Sequence, residues 1–343
     1  MPRRLIHIDA AKVVASNLIV LHHFTVYGPL AVALDVAAPR LTDFFFEYAR
    51  MAVQVFLVIG GYFAASSLAP HGHLQLSHLI RRIGQRYLRL VLPFSVAMLL
   101  VLVCSAVARS GLPSEFIPAA PGLLQLLAHA GLLHGVLGVE PLSIGIWYVA
   151  IDFQLYVLMA FLLWLGRRQA QWLVAVLTLT SLLVFNLQAD GDNWAPYFFG
   201  AYGMGAFAWW AGHSRHAGPR LVALAGAGAL ALLWDFRLRI LLALAVALWL
   251  GVARWRTAQD GTAHALPVSM SRAVRVLGRC SYALFLTHFC VILLANVAWA
   301  HLQWTFAGSA GLVTLVAWSA CVVLALAFER YIERPLSGLR LFH

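Results

Sequence analysis

Runs of about twenty apolar residues, broken only by single charges and short polar turns, recur from near one end of this chain to the other. A helix rising about 1.5 Å per residue needs about that many residues to cross ~30 Å of hydrocarbon. Composition agrees with a membrane interior: of 343 residues, 62% are hydrophobic and 11% charged, where a soluble domain carries about 25% charged residues. The chain therefore reads as an all-α, polytopic membrane helical bundle of about ten transmembrane helices. Candidate spans are 12–31, 51–69, 87–108, 143–165, 170–187, 194–212, 219–234, 238–253, 276–300 and 308–331. The seventh and eighth are short and are joined only by Asp235, Phe236 and Arg237. Between 123 and 139 a semi-apolar segment with His129 and His134 reads as a re-entrant or interfacial helix. No polar block is long enough to bury a separate soluble core, so residues 1–343 read as one domain.

Charge orients the bundle. If the N-terminus is cytoplasmic, only Arg40, Arg50, Arg109, Arg237 and Arg239 among the 24 Lys and Arg residues fall on the far face. That asymmetry implies an even number of crossings with both termini cytoplasmic. It also explains the net charge of +11 without nucleic-acid binding, since membrane lipids with anionic headgroups and a polyanionic cytosolic ligand account for it. Cys104, Cys280, Cys290 and Cys321 stand alone in apolar runs, which indicates buried thiols and neither a disulfide framework nor a zinc site. No cleavage site follows the first apolar run, which reads as a retained signal-anchor helix.

Within that first run, Asp9, Lys12, Ser16, Ile19 and His23 follow i+3 and i+4 steps and share one helical stripe. Lys12, the only lysine, falls at the cytoplasmic boundary, and His23 lies eleven residues on, about 16 Å deeper. A charged side chain at the bilayer centre costs about 2.5–3.5 kcal/mol, so an ionisable group facing the bundle interior is a functional candidate. The competing reading of His23 is a hydrogen bond that holds two helices together; its neighbour His22 points elsewhere and reads as structural. Asp152 is a second such group, flanked at i−4 and i+4 by Tyr148 and Tyr156. Arg82, Arg86 and Arg89 are spaced to converge on one anionic group, or else they are the ordinary positive anchor before a span. Ser281 and His288 share a face of the ninth span, and His288 either lines a cavity or packs. Asp9 is expected to pair with Lys12 or an arginine. Glu329 and Glu333 with Arg330 and Arg334 form a charged cytoplasmic cap.

These residues resemble a family. "IDAAKVVASNLIVLHH" from Ile8 is similar to the first helix of the acyltransferase-3 integral membrane family, with its Arg or Lys, ten residues, then His. "FLVIGGYFAASSL" from Phe56 and "RYLRLVLPF" from Arg86 resemble its second and third helices. "IWYVAIDFQLYVL" from Ile146, "LGRCSYALFLTHFCVIL" from Leu277 and "ERYIERP" from Glu329 resemble later motifs in the family's order. Asp152 stands where the family usually has Glu, one methylene shorter, and Lys12 replaces the commoner Arg, a point charge in place of a bidentate fork.

The resemblance implies transfer of an acyl group, usually acetyl, from cytosolic acyl-CoA to a hydroxyl on a glycan, lipid-linked sugar or other amphipathic acceptor. It implies acyl-CoA as co-substrate, with acetyl-CoA the usual donor and no permanently bound cofactor or metal. Lys12, Arg82, Arg86 and Arg89 would bind the donor's phosphates. His23 would act as general base or as acyl carrier, and Asp152 would orient His23 or bind the acceptor. Trp147, Tyr148, Tyr156, Tyr282 and His288 would line the substrate path. O-acetylation of a polysaccharide component at a bacterial-type inner membrane follows as the expected setting. The main alternative is a secondary transporter of a small or anionic solute, against which the lack of an internal repeat counts. No Gly-rich phosphate loop, G-x-S-x-G or H-E-x-x-H motif supports other chemistry.

Overall fold

Every regular element among the described residues is helical. The computed structural model describes residues 6–74, 79–260, 268–302, 304, 306 and 308–339; Arg3, Arg4 and Arg340, which contribute to the charge asymmetry, lie outside them. The helices are α1 (Ile6–Phe24), α2 (Pro29–Ala37), α3 (Pro39–Glu47), α4 (Val53–Leu68), α5 (Leu79–Ala108), α6 (Leu123–Ala130) and α7 (Trp147–Gly166). They continue with α8 (Ala170–Leu183), α9 (Ala195–Gly212), α10 (Ala217–Trp234), α11 (Leu238–Asp260), α12 (Val268–Arg279), α13 (Ser281–Leu302) and α14 (Ser309–Phe328).

Seven helical stretches are long and apolar enough to cross a membrane, or eight if α1 and α2, bent by 97°, make one span. Two physical features separate this from the ten spans read in the sequence. Helices α7 and α8 run together in one stretch, Trp147–Leu187, although Arg167 at φ 45° turns the chain between them. Helix α9 carries four glycines, two tyrosines and two tryptophans, which lower its mean hydropathy although most of it is buried. The count of ten and the cytoplasmic placement of both termini therefore belong to the proposal below. Segment 123–139 holds a helix only over α6 and then turns back on itself.

The chain forms two compact units. The first takes its residues from Met1–Ala52, Leu88–Trp147 and Pro267–His343, and the second from Val53–Tyr87 and Tyr148–Leu266. In the first unit α1 lies so close to α12 that a Cβ at Gly278 would stand 2.7 Å from the Cβ of Asp9. Helix α13 is the unit's inner element, with Thr287, His288 and Asn296 all buried. Polar groups this deep in an apolar body must find partners, and Asn296 does: its Oδ1 accepts from the Leu30 amide (2.8 Å) and its Nδ2 donates to the Tyr27 carbonyl (3.1 Å). These bonds tie the α1–α2 bend to α13. The indole of Trp318 on α14 donates to Asn17 Oδ1 at 2.9 Å, fixing α14 against α1.

In the second unit α9 is the central helix, packed against α4, α8 and α11. The contact with α4 is backbone to backbone. A Cβ at Gly61 would fall 1.8 Å from the Tyr202 carbonyl oxygen, and one at Gly205 would fall 2.0 Å from the Val58 carbonyl oxygen. Small residues let membrane helices approach this closely, so the glycine content that lowers the hydropathy of α9 is what lets it occupy the centre. Trp210 Nε1–H donates to the Ala69 carbonyl at 2.8 Å, closing the end of that pair.

Candidate functional site

The sequence stripe on α1 is realised in the first unit: Asp9, Ser16, Ile19 and His23 are all buried, while Lys12 is partly exposed. His23 retains 8% of its surface and His288 none. His23 Nδ1 lies 2.8 Å from His288 Nε2, and His288 Nδ1 lies 3.1 Å from the Leu284 carbonyl oxygen, one helical turn back on α13. A carbonyl only accepts, so His288 carries its proton on Nδ1 and its Nε2 is the acceptor. His23 must then donate from Nδ1–H, which leaves the lone pair on His23 Nε2. The chain of hydrogen bonds thus sets the tautomer of His23 and aims a basic nitrogen away from His288.

The backbone around His23 is shaped to its ring. Gly145 has φ 79°, a left-handed conformation that only glycine adopts without penalty, and a Cβ there would meet His23 Cε1 at 3.2 Å and the Phe285 ring at 3.4 Å. The neighbouring His22 is turned elsewhere, its Nδ1–H donating to the Phe45 carbonyl at 3.1 Å. Tyr282, expected to line the path, donates from its hydroxyl to the Leu90 carbonyl of α5 at 2.9 Å.

Asp152 lies in the second unit, where its Oδ2 accepts from Arg86 Nη2 at 2.5 Å. Within the first unit the side chain hydrogen-bonded to His23 is His288, and within the second Arg86 is paired with a carboxylate. Arg86 also lies over the Tyr156 ring at 5.4 Å, and Tyr148 and Tyr202 sit in the field of the same ion pair. Asp152 Oδ1 would be 3.3 Å from a Cβ at Gly60, so the shorter acid fits a site with little space behind it. Arg86 Nε and Tyr202 Oη are buried without a hydrogen-bond partner among the described residues. Arg82 of the same helix donates to the Ser67 carbonyl. Trp147 is exposed.

Within the first unit Lys12 and Arg89 both act electrostatically on Glu333, which lies in a π-helical turn over Glu329–Glu333. Glu333 accepts from the Ala283 amide in the first turn of α13, and Lys12, Arg89 and Glu329 all act on its carboxylate. The expected charged cap therefore reaches inward to the base of the Lys12 to His23 stripe. Asp9 sits against Gly278, and its Oδ2 has no hydrogen-bond partner among the described residues. All four cysteines are buried and unbridged, and no cluster of three metal-ligating side chains occurs among the described residues.

An imidazole with a fixed tautomer, buried on a first helix that carries a lysine eleven residues earlier, can now be set beside known proteins. The family model described as an acyltransferase domain matches residues 5–328, nearly the whole chain and both compact units. The chain belongs to the acyltransferase-3 family. It is a membrane acyltransferase in general type, and both motif histidines, His23 and His288, fall within the matched region. No curated protein and no solved structure matches the chain.

Sequence reasoning placed His23 correctly on the inward stripe but gave His288 a separate place along the substrate path. The two are 265 positions apart, and nothing in either local pattern announces their contact. Gly145, beside the His23 ring, and Phe285, whose ring lies 6.2 Å from that of His288, were missed for the same reason. The Arg86–Asp152 pair carried a signal, a carboxylate and a guanidinium both stranded inside apolar helices, since buried charges are paired.

Proposed function

We propose that this acyltransferase-3 protein moves an acyl group, acetyl in the simplest case, from cytosolic acyl-CoA to a hydroxyl of a glycan or lipid-linked sugar. The observation that carries this is the His23–His288 pair, in which the Leu284 carbonyl fixes His288 and His288 fixes His23 with its Nε2 unprotonated. The acceptor O–H gives its proton to His23 Nε2 as the oxygen attacks the thioester carbonyl. The new C–O bond forms, the C–S bond breaks, and the departing thiolate takes the proton back. While His23 is charged, its Nδ1–H still donates to His288 Nε2, a bond that strengthens when the donor is cationic. His288 is therefore a positioning residue, the counterpart of the group that orients the base in a catalytic triad.

Lys12 and Arg89 of the first unit are the cations we assign to the donor's phosphates. The donor enters at the face bearing Lys12 and Arg89, and the thioester reaches His23 along the stripe of α1. We further propose ten membrane crossings with both termini cytoplasmic, in a bacterial-type inner membrane, which leaves the acceptor to approach from the opposite face. Membranes carrying wild type or His23→Ala, incubated with labelled acetyl-CoA and candidate glycans, test the proposal. Loss of the general base is expected to lower label transfer and CoA release by about 10²–10⁴-fold. Equal transfer by both proteins would remove His23 from the chemistry.

A further inference from the structure

The loop that supplies Gly145 to His23 begins at a second pair of histidines that the chemistry above does not use. Helix α6 ends in a Schellman turn: the Leu133 amide donates to the Ala128 carbonyl (2.9 Å) and the Leu132 amide to the His129 carbonyl (3.0 Å). The left-handed position of that turn, normally glycine, is held by Leu132 at φ 54°, with its side chain fully buried. A leucine in this conformation is strained, and the turn's effect is to fold residue 134 back under residue 129. The two imidazoles lie face to face, 4.4 Å between centroids and 5° between planes.

Only one of them is satisfied. His129 donates from Nδ1–H to the Gln125 carbonyl (2.7 Å) and accepts at Nε2 from the Leu142 amide (3.2 Å), so both nitrogens are occupied by backbone. His134 is 1% exposed, and neither Nδ1 nor Nε2 has a hydrogen-bond partner among the described residues. Ser143, next to Leu142, is 4% exposed, and its Oγ is likewise buried without a partner among the described residues. Leaving such groups unmatched inside a fold is expensive, and three orphaned polar atoms on one short loop call for a missing partner. Burial and the facing His129 hold His134 neutral, its pKa pushed down to about 4. A neutral imidazole offers one donor and one acceptor, which suits a hydroxyl and gives no charge to hold a phosphate or carboxylate. His129 anchors Leu142, and Gly145, three residues on, leaves no room for a Cβ beside His23; three residues span at most about 11 Å of chain.

We propose that His134 and Ser143 form a subsite for non-reacting hydroxyl groups of a sugar acceptor, placed by the Leu142–Gly145 loop on the acceptor side of His23. This rests on the transfer reading above, in which a sugar is the acceptor. Its test needs no catalysis. The purified full chain in detergent is unfolded by heat with and without saturating methyl glycosides of glucose, galactose, mannose and N-acetylglucosamine. For wild type, at least one glycoside is expected to raise Tm by about 2 °C or more. His134→Phe, which replaces the orphaned ring with an apolar one of similar shape, is expected to lose that shift, and His134→Gln, which keeps a donor and an acceptor, to retain part of it. Should His134→Phe fail to fold, Ser143→Ala is expected to show the shift at least halved. A wild type indifferent to every glycoside, or a shift equal in wild type, His134→Phe and Ser143→Ala, overturns the subsite and leaves an internal water as the partner of these atoms. Either result is independent of whether His23 supports acyl transfer, since no acyl-CoA is present.

Discussion

At His288 a single carbonyl decides which nitrogen of a distant ring is basic, and the consequence separates a positioning role from packing. Gln at position 288 keeps an acceptor that can face His23 Nδ1–H, whereas Leu keeps volume and loses the acceptor. His288→Leu is expected to lower kcat by about 10–100-fold, the usual loss when the group orienting a functional histidine is removed, and His288→Gln to retain most of it. Side chains that merely fill space would rank the other way, because Leu is the better apolar filler at a site with no exposure. Steady-state rates for both variants, with the donor KM measured alongside, check the ordering. The histidines of the α6 turn give a residue-scale pH dependence. In the unfolded chain His134 gains a proton near pH 6.5, but in the folded chain it stays neutral down to about 4. Between those values the unfolded state binds more protons, so stability present above pH 6.5 is lost as pH falls toward 4. The drop in Tm from pH 7 to pH 4.5 is expected to be smaller in His134→Phe than in wild type. The stripe pattern showed His23 facing inward, but it could not show the tautomer, which depends on His288 from the far end of the chain. Asp152 is buried, as a carboxylate among apolar residues implied, and its pairing with Arg86 was hidden because Arg86 is equally well explained as an interfacial anchor.

The helices themselves were legible where apolar length alone decides. The spans read at 194–212, 219–234 and 238–253 correspond to α9, α10 and α11, and the close 235–237 turn is where the chain reverses. Hydropathy hid the rank of α9. Its glycines make it look like a weak span, yet those same positions set the closest helix approach in the second unit. Gly61→Ala and Gly205→Ala each place a methyl within about 2 Å of a carbonyl oxygen, and overpacking of this kind costs about 1–3 kcal/mol or more. Gly226 of α10 has nothing within 4 Å of a added Cβ, and Gly226→Ala is expected to be neutral or stabilising by up to about 1 kcal/mol, the helix-propensity gain. Thermal unfolding in detergent of the three variants checks this contrast, and equal Tm values for all three would mean that α4 and α9 do not pack backbone to backbone. The division into two units was not legible, because the boundary falls inside α5 and beside the start of α7, with no linker composition to mark it.

For the whole molecule, the decisive question is whether a solute crosses or a bond is exchanged. A transporter and an acyltransferase share apolar helices and buried ionisable groups, and differ in what happens to the thioester. The proposed assignment of Lys12 and Arg89 to the donor makes one face the entry for acyl-CoA, and the proposed His134 and Ser143 subsite places the acceptor's approach apart from it. Sealed vesicles of defined orientation separate these outcomes. Acyl-CoA, whose phosphates keep it from crossing, is expected to support transfer only from the face bearing Lys12, with CoA released on that same face and the acyl label recovered on the acceptor. Charge reversal at Arg89 is expected to raise the KM for acyl-CoA about tenfold or more while the protein inserts normally, since loss of a charge-assisted phosphate bond is worth about 1.5–3 kcal/mol. Label that crosses intact with no CoA released would establish transport. Transfer that proceeds equally from either face would place the donor's entry away from Lys12 and Arg89, and with it the direction in which the thioester approaches His23.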